Sequence, residues 1–572
     1  VAVKRRLSNE EAAAVEALKA PGLEFVDEMK RFYVSGQTAA HVLGFVNIKE
    51  EGQAGVELFL NKAIQGKGGR VRIARDALNN SFDSTVIPPE PGANVTLTID
   101  ALIQHHAEKA LAEAVRAAGA RGGTAVVMRP ATGEILALAS CPTFDPNKIS
   151  GSDKEKLRNR AVESVFEPGS IFKLITYSAA LEENLIRPDS RIDCANGQIA
   201  VPGRIIRDGH VGVMTATKAL AQSSNVAAIK LGMSLGYERL ARYIRLFGFG
   251  SRAGVELPAE SAGLLRDVSR WQPGTIGSIP IGYEIGVTAV QTVAAFACIA
   301  NGGEYVQPHL IRRVESPTGV LLEESRPERR RVVSPATAAM LTQMLAGVVE
   351  QGTGKRAQIK GFRVAGKTGT ARKIDPVTRR YTTRYISSFA GFAPAERPEI
   401  ACLISIDDPR GAYYGGDVAA PVFARVVAEA LQVLGVQPEN AIQPYIAQDD
   451  LRVDDAPPTI IENEAAQVDE AGGGAPALDI AAETEQPEDA SKGGVVVPDL
   501  IGKGVRAALA LCLERGLQLQ VSGDGVIVSQ SLRPGTRVQP GAVCQVKLSR
   551  QVARSKGTGE QKSREAIYSG LR

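Results

Sequence analysis

The chain has 572 residues, 44% of them hydrophobic, with 67 Lys and Arg against 63 Asp and Glu and a formal net charge of +4. That length calls for several domains with ample core, and so slight a positive charge, without a long basic and aromatic array, argues against nucleic acid as a partner. No run of about eighteen apolar residues occurs, so neither a membrane span nor a signal peptide is expected within the sequence.

Residues 4 to about 94 mix strand and helix patterns with many turn residues, and no helix pattern there is long enough for a compact catalytic core. A helix is predicted over 101–118. Its adjacent His105 and His106 have no Cys or acidic partner at ligand spacing, so they, like His41, are read as structural. Strands over 124–128 and 134–139, joined by turn residues at 130–133, form a hairpin.

Glu167-Pro168-Gly169-Ser170-Ile171-Phe172-Lys173 then runs from a Pro-Gly turn into apolar residues at helical spacing. Ser170 is therefore expected at the mouth of a helix, where free backbone N–H groups and the positive dipole end favour negative charge on its oxygen. Lys173, three residues on, shares its face and can reach the Ser170 hydroxyl. Residues 213–231 read as helix, polar break, helix, with Ser223-Ser224-Asn225 in the break. Residues 362–370 and 387–392 read as antiparallel strands, the first carrying Lys367-Thr368-Gly369-Thr370, and a further strand follows at 400–406. One antiparallel sheet flanked by helices, an α+β domain over 101–436, accommodates these elements.

Residues 437–492 are acidic, Arg452 being the only basic residue between 449 and 489, and are expected to form an extended, self-repelling linker. Order returns over 493–549, a small α/β module with a helix at 505–515 and short strands near 517–521 and 543–548. The six cysteines Cys141, Cys194, Cys298, Cys402, Cys512 and Cys544 are scattered and have no metal-site spacing. Cys512 and Cys544 share the small module, and the sequence leaves open whether they form a disulfide. The basic tail, 550–572, is expected to be disordered.

Taken singly, the three short motifs are weak, since a chain of this length contains by chance about one or two S-x-x-K strings and about one S-x-N. Their order and context carry the specificity. A serine becomes a nucleophile when a base takes its proton, and a lysine serves only where desolvation and a second cation keep it neutral. Lys173 is the candidate base and Lys367 the second cation. Ser223 can relay a proton, and the Asn225 amide can bind a substrate peptide group. Gly366 and Gly369 let a peptide backbone approach and add as a strand. The Thr368 and Thr370 hydroxyls with Lys367 suit a carboxylate, and the N–H groups of Ser170 and Thr370 suit an oxyanion.

With these motifs the chain resembles the penicillin-binding protein and serine β-lactamase superfamily, and its flanking sequence resembles the class B penicillin-binding proteins over about residues 4–434. The flanking matches are Arg31-Phe32-Tyr33 with Gly36, Ala40-His41-Val42-Leu43-Gly44-Phe45-Val46, Gly55-Val56-Glu57-Leu58, Leu97-Thr98-Ile99-Asp100, Arg129-Pro130 with Thr132-Gly133-Glu134, Pro142-Thr143-Phe144-Asp145-Pro146-Asn147, Ala300-Asn301-Gly302-Gly303 and Tyr413-Tyr414-Gly415-Gly416. Val34 departs from the proline usual after that early tyrosine, which touches a turn and not the chemistry. Val497-Pro498-Asp499-Leu500-Ile501-Gly502, Gln530-Ser531, Pro534-Gly535 and Pro540-Gly541 resemble a PASTA domain.

The resemblance implies a transpeptidase core over 101–436 and a pedestal or dimerisation domain over 1–100. It implies a peptidoglycan D,D-transpeptidase in which Ser170 attacks a D-Ala-D-Ala stem peptide, and Lys173, Ser223, Lys367, Asn225, Thr368, Gly369 and Thr370 complete the site. β-Lactams would acylate the same serine, and no metal or organic cofactor is needed. A membrane glycan-strand polymerase and division proteins are the implied partners, in division or sporulation rather than elongation. The catalytic domain would lie on the periplasmic or extracellular side of a bacterial membrane, held by a single N-terminal anchor that would precede Val1. Two other readings stand beside this one. A β-lactam-hydrolysing or sensing relative would be recognised by fast turnover of a penicillin, and a non-catalytic cell-wall-binding scaffold by the lack of acylation.

Overall fold

The computed structural model describes residues 3–438 and 495–549, apart from 26–27, 29, 76–80, 150, 152, 376, 379, 504, 523–525 and 540. They fall into two compact units, before and after residue 450. The segments read as acidic linker, beyond residue 438, and as basic tail lie outside the described residues.

In the larger unit, α1 (Ala101–Ala117) starts where Asp100 accepts from the N–H groups of Leu102 and Ile103, at 2.9 and 3.1 Å, which satisfies two of the donors a helix start leaves free. The elements that follow are β1 (Gly122–Met128), β2 (Ile135–Cys141), α2 (Lys173–Glu182), α3 (Ala216–Ala221), α4 (Asn225–Leu246, broken at Gly236), α5 (Ala289–Ala300), α6 (Pro335–Glu350), β3 (Ala365–Ile374), β4 (Tyr381–Ala393), β5 (Ile400–Asp407) and α7 (Ala420–Val433). The five strands form one antiparallel sheet in the order β3-β4-β5-β1-β2.

Strand alternation sorts its side chains onto two faces. Ala125 and Val127 of β1 join a core with Ile103 and Leu111 of α1 and Phe423 and Val427 of α7. Val126 and Met128 point the other way, into a core shared with Leu403 of β5, Phe392 of β4 and helices α2 and α5. Each fully buried Val, Leu, Ile or Phe contributes about 1.5–3 kcal/mol, so covering both faces makes this sheet the rigid element on which the site is built. The sheet and its flanking helices agree with the α+β expectation. The hairpin β3–β4 runs further than the sequence pattern suggests, because its polar far end, Arg372 to Ile374 against Tyr381 to Tyr385, continues the same ladder.

Among the described residues, the region before Asn94 holds only short helices, the longest being Asn9–Ala17, and a hairpin of Arg70–Arg75 with Ser81–Ile87. Asn94–Leu97 pairs with Ile311–Glu315 and so joins this region to the rest of the larger unit. Sequence matches that lie far apart meet here. Tyr33 and Asn147 exchange two hydrogen bonds, at 3.0 and 2.9 Å, while Glu57 accepts from the Tyr33 hydroxyl at 3.3 Å and pairs with Arg31 at 2.9 Å. Val34 lies exposed in the turn beyond them. His41 is buried, bonded to the Lys156 carbonyl at 2.8 Å and set edge-on to Phe144, and burial pushes its imidazole down to about 4. His106 meets Glu429 across α1 and α7 at 3.2 Å. Both histidines tie segments together.

The C-terminal unit contains α8 (Val505–Glu514), β6 (Gln518–Ser522), β7 (Val526–Gln530) and β8 (Val543–Ser549), with strand order β6-β8-β7 and β6 parallel to β8. Its core gathers Val497, Leu500, Ala508, Leu517, Ile527 and Leu548. The Gln530 side chain accepts from Leu500 N–H at 2.7 Å and donates to the carbonyls of Pro498 and Leu532, at 3.1 and 2.7 Å. Cys512 and Cys544 are both buried in this core as free thiols.

Candidate active site

All three short motifs converge on one cavity of about 600 Å³, lined by Ser170, Ser223, Thr353, Thr368, Thr370 and Tyr414 among others. Ser170 stands half-buried in a single 3₁₀ turn, Gly169–Phe172, that feeds α2. The sequence reading put it directly at the mouth of an α-helix; the tighter turn intervenes because Gly169, at φ +56°, donates to the Gly282 carbonyl at 3.0 Å and bends the chain in. Gly282 must lack a side chain, since a Cβ there would lie 2.1 Å from the Gly169 oxygen.

Lys173, at the start of α2, is wholly buried. Its Nζ donates to the Ser223 carbonyl at 2.5 Å, to Ser223 Oγ at 3.2 Å and to Asn225 Oδ1 at 2.8 Å. Burial pushes this ammonium down to about 7, against an opposing pull from the Asp208 carboxylate. Lys367 is buried as completely and reaches the Thr368 carbonyl and Oγ1, both at 3.2 Å; burial, with the Lys173 charge second, holds it well below the usual lysine range. The sequence reading casts Lys367 as the cation that keeps Lys173 neutral and as a partner for a carboxylate. In the structure it is burial that holds Lys173 down, and the charge effect between the two runs from Lys173 onto Lys367.

Ser223 lies in the break between α3 and α4 at φ +62°, a conformation costly for a residue with a Cβ. Ser224 caps α4, its Oγ accepting from Ala227 N–H at 3.2 Å. Asn225 offers its oxygen to Lys173, and its Nδ2 is the side chain's other polar atom. Asp208 was not foreseen: its carboxylate accepts from Ser224 Oγ, Asn225 N–H and Val226 N–H at 2.6, 2.6 and 3.1 Å. No local signature marks a cap supplied from so far up the chain.

Strand β3 forms one edge of the sheet and carries Lys367 to Thr370. Such an edge can take up an extended peptide. Thr368 Oγ1 meets Thr353 Oγ1 at 2.7 Å, and Thr370 Oγ1 accepts from Gly415 N–H at 3.0 Å. Thr353 is a second residue that no motif announced. At Gly369 a Cβ would stand 2.7 Å from Ile171 Cγ1 and 3.0 Å from the Pro168 oxygen. Gly369→Ala should therefore push β3 away from the serine turn, costing about 1–3 kcal/mol of stability, which a melting curve checks.

A second cavity, of about 200 Å³, is lined by Arg121, Arg160, Lys373, Asp407 and others and contains none of the motif residues; Asp407 pairs with Lys373 and, at 3.5 Å, with Arg160. Among the described residues no group of three or more His, Cys, Asp or Glu is placed to hold a metal, and no helix is long and apolar enough to cross a membrane.

Residues 123–428 match the model of the penicillin binding protein transpeptidase domain, residues 1–97 that of the penicillin-binding protein dimerisation domain, and residues 495–550 that of the PASTA domain. The chain is 31% identical to stage V sporulation protein D of Bacillus subtilis, over 96% of this chain and 80% of that one. It is 33% identical to peptidoglycan D,D-transpeptidase FtsI of Escherichia coli, over 76% and 72% of the two chains. The solved structure of penicillin-binding protein 3 from Mycobacterium tuberculosis, complexed with ampicillin, superposes with a TM-score of 0.66 at 36% identity, covering 73% of this chain and 92% of that one. A transpeptidase-domain match longer than half of the chain, a dimerisation-domain match ahead of it and three converging motifs lead to one conclusion: this chain belongs to the class B penicillin-binding proteins.

Proposed function

We propose that this chain crosslinks peptidoglycan as a serine D,D-transpeptidase, with residues 1–100 as pedestal, 101–436 as the catalytic domain and 493–549 as a PASTA module. The observation that carries the reading is the pair of fully buried lysines, one hydrogen-bonded to Ser223, beside a cavity that contains Ser170. Neutral Lys173 takes the hydroxyl proton as Ser170 Oγ attacks the carbonyl of the penultimate D-alanine. The Ser170 and Thr370 N–H groups hold the oxyanion. As the C–N bond breaks, the proton passes through Ser223 to the departing D-alanine amine, leaving an ester on Ser170. An amine of a neighbouring stem attacks that ester, its proton returns through Ser223 and Lys173 to Ser170 Oγ, and a new amide leaves. Asn225 Nδ2 binds a substrate peptide group, Gly369 lets the donor strand lie close to β3, and Thr368, Thr370 and Lys367 hold the terminal carboxylate.

In this reading β-lactams acylate Ser170. A membrane anchor holds the catalytic domain on the periplasmic or extracellular side, and a glycan-strand polymerase and division proteins are its partners. The test supplies the purified chain with a stem pentapeptide ending in D-Ala-D-Ala and an amine acceptor. Released D-alanine should match new amide product. D-alanine release with no amide would indicate a hydrolase, and no release from the folded chain a scaffold.

A further inference from the structure

We infer that Asp208 is a positioning residue for acyl transfer, its carboxylate clamping the Ser223-Ser224-Asn225 turn so that Ser223 and Asn225 meet Lys173. The inference rests on the function proposed above and extends it to a residue outside the three motifs.

Asp208 follows the hairpin Gln198–Val201 and Arg204–Arg207 and anchors there through its own N–H, which donates to the Gly197 carbonyl at 2.7 Å. Its side chain is 4% exposed. One oxygen, Oδ2, receives Ser224 Oγ–H and the N–H groups of Asn225 and Val226, at 2.6, 2.6 and 3.1 Å. Those two N–H groups are the first of α4, which a helix cannot satisfy internally, and the helix dipole favours an anion there. The other oxygen, Oδ1, takes His210 Nδ1–H at 2.7 Å. The carboxylate is thus engaged on both oxygens, with two of its donors in the turn and a third, Val226 N–H, just beyond it in α4.

What the clamp secures is the residue just before it. Ser223 holds φ +62°, a strain of about 1–3 kcal/mol that persists only where the surroundings over-determine it. Its own N–H reaches the Leu220 carbonyl at 3.0 Å, but the next two residues are fixed by Asp208. Through that turn, the Ser223 carbonyl, Ser223 Oγ and Asn225 Oδ1 are presented together to Lys173 Nζ.

The charge of Asp208 also acts on Lys173, raising its hold on a proton against the effect of burial. The groups facing this pair are Lys367 from β3, His210 beside Asp208, and Tyr177 from α2, whose phenol is pushed up chiefly by burial and further by Cys194 and Asp208. Cys194 Sγ lies 3.5 Å from Ser224 Oγ.

The experiment measures penicillin acylation of Ser170 across pH 5–9 in wild type, Asp208→Asn and Asp208→Ala, with melting curves for each. Both variants should lose roughly 10–100-fold in the plateau rate, the scale of a misplacement of about 1 Å. In both, the acid limb should move to lower pH, because the anion that helped Lys173 keep its proton is gone. Plateaus within twofold of wild type would overturn the inference. A lower plateau with an unmoved limb would also overturn it, since that is the mark of a merely structural residue. Should neither variant fold, Ser224→Ala keeps the charge but loosens the clamp: it must slow acylation with the limb in place, and an unchanged rate would overturn the inference. A wild-type chain that is folded yet never acylated at Ser170 would sink the proposed function and this inference with it.

Discussion

Exchanging Lys173 for methionine should slow acylation by a β-lactam roughly 10²–10⁴-fold, the usual contribution of a positioned general base, while the chain still folds. Methionine fills the same buried volume without the ammonium. Two opposing terms act on stability. The Ser223 carbonyl and Asn225 Oδ1 lose their donor, at about 1–3 kcal/mol for each group left unpaired, but a wholly buried cation no longer has to be desolvated. The rate loss should therefore far exceed any change in melting temperature. Time courses of covalent labelling in folded protein decide the matter, and a rate within a few-fold of wild type would exclude Lys173 as the base.

The acylation rate of the wild type should climb with pH through about 7, where burial places Lys173. Only the neutral amine accepts the serine proton, so below that point the rate should fall about tenfold per pH unit, to about a fiftieth of its value at pH 7 by pH 5. The sign for stability follows from the same shift. The folded chain holds this proton less tightly than the unfolded chain does, so the unfolded state binds more protons between about 7 and the ordinary lysine range near 10.4. The Lys173 contribution to stability is then full above that range and is lost as pH falls through about 7. Relative to Lys173→Met, the wild type should thus gain stability as pH rises above 7. A flat rate profile from pH 5 to 8 would mean that Lys173 does not titrate there.

The motif residues were legible because their geometry is local. Ser170 and Lys173 are one turn apart, Ser223 and Asn225 share one break between helices, and Lys367 to Thr370 share one strand. The five-stranded sheet was legible in outline because turn residues bound its strands. What the sequence concealed comes from tertiary approach. Asp208, Thr353 and Gly282 enter the site from segments with no periodicity or motif of their own, and only the folded chain brings them to Ser224, Thr368 and Gly169. The 3₁₀ turn at Ser170 was missed for a similar reason, since its shape depends on the Gly282 carbonyl. In the C-terminal unit β7 went unread because the run is short and Gly523-Asp524-Gly525 before it reads as turn.

One measurement reaches the central claim most directly: incubate the folded chain with benzylpenicillin, digest it, and locate the adduct by peptide mass, with Ser170→Ala as the control. The expected result is a long-lived penicilloyl ester on the peptide that contains Ser170, absent from the variant. No adduct, an adduct on another residue, or rapid release of hydrolysed penicillin would contradict it.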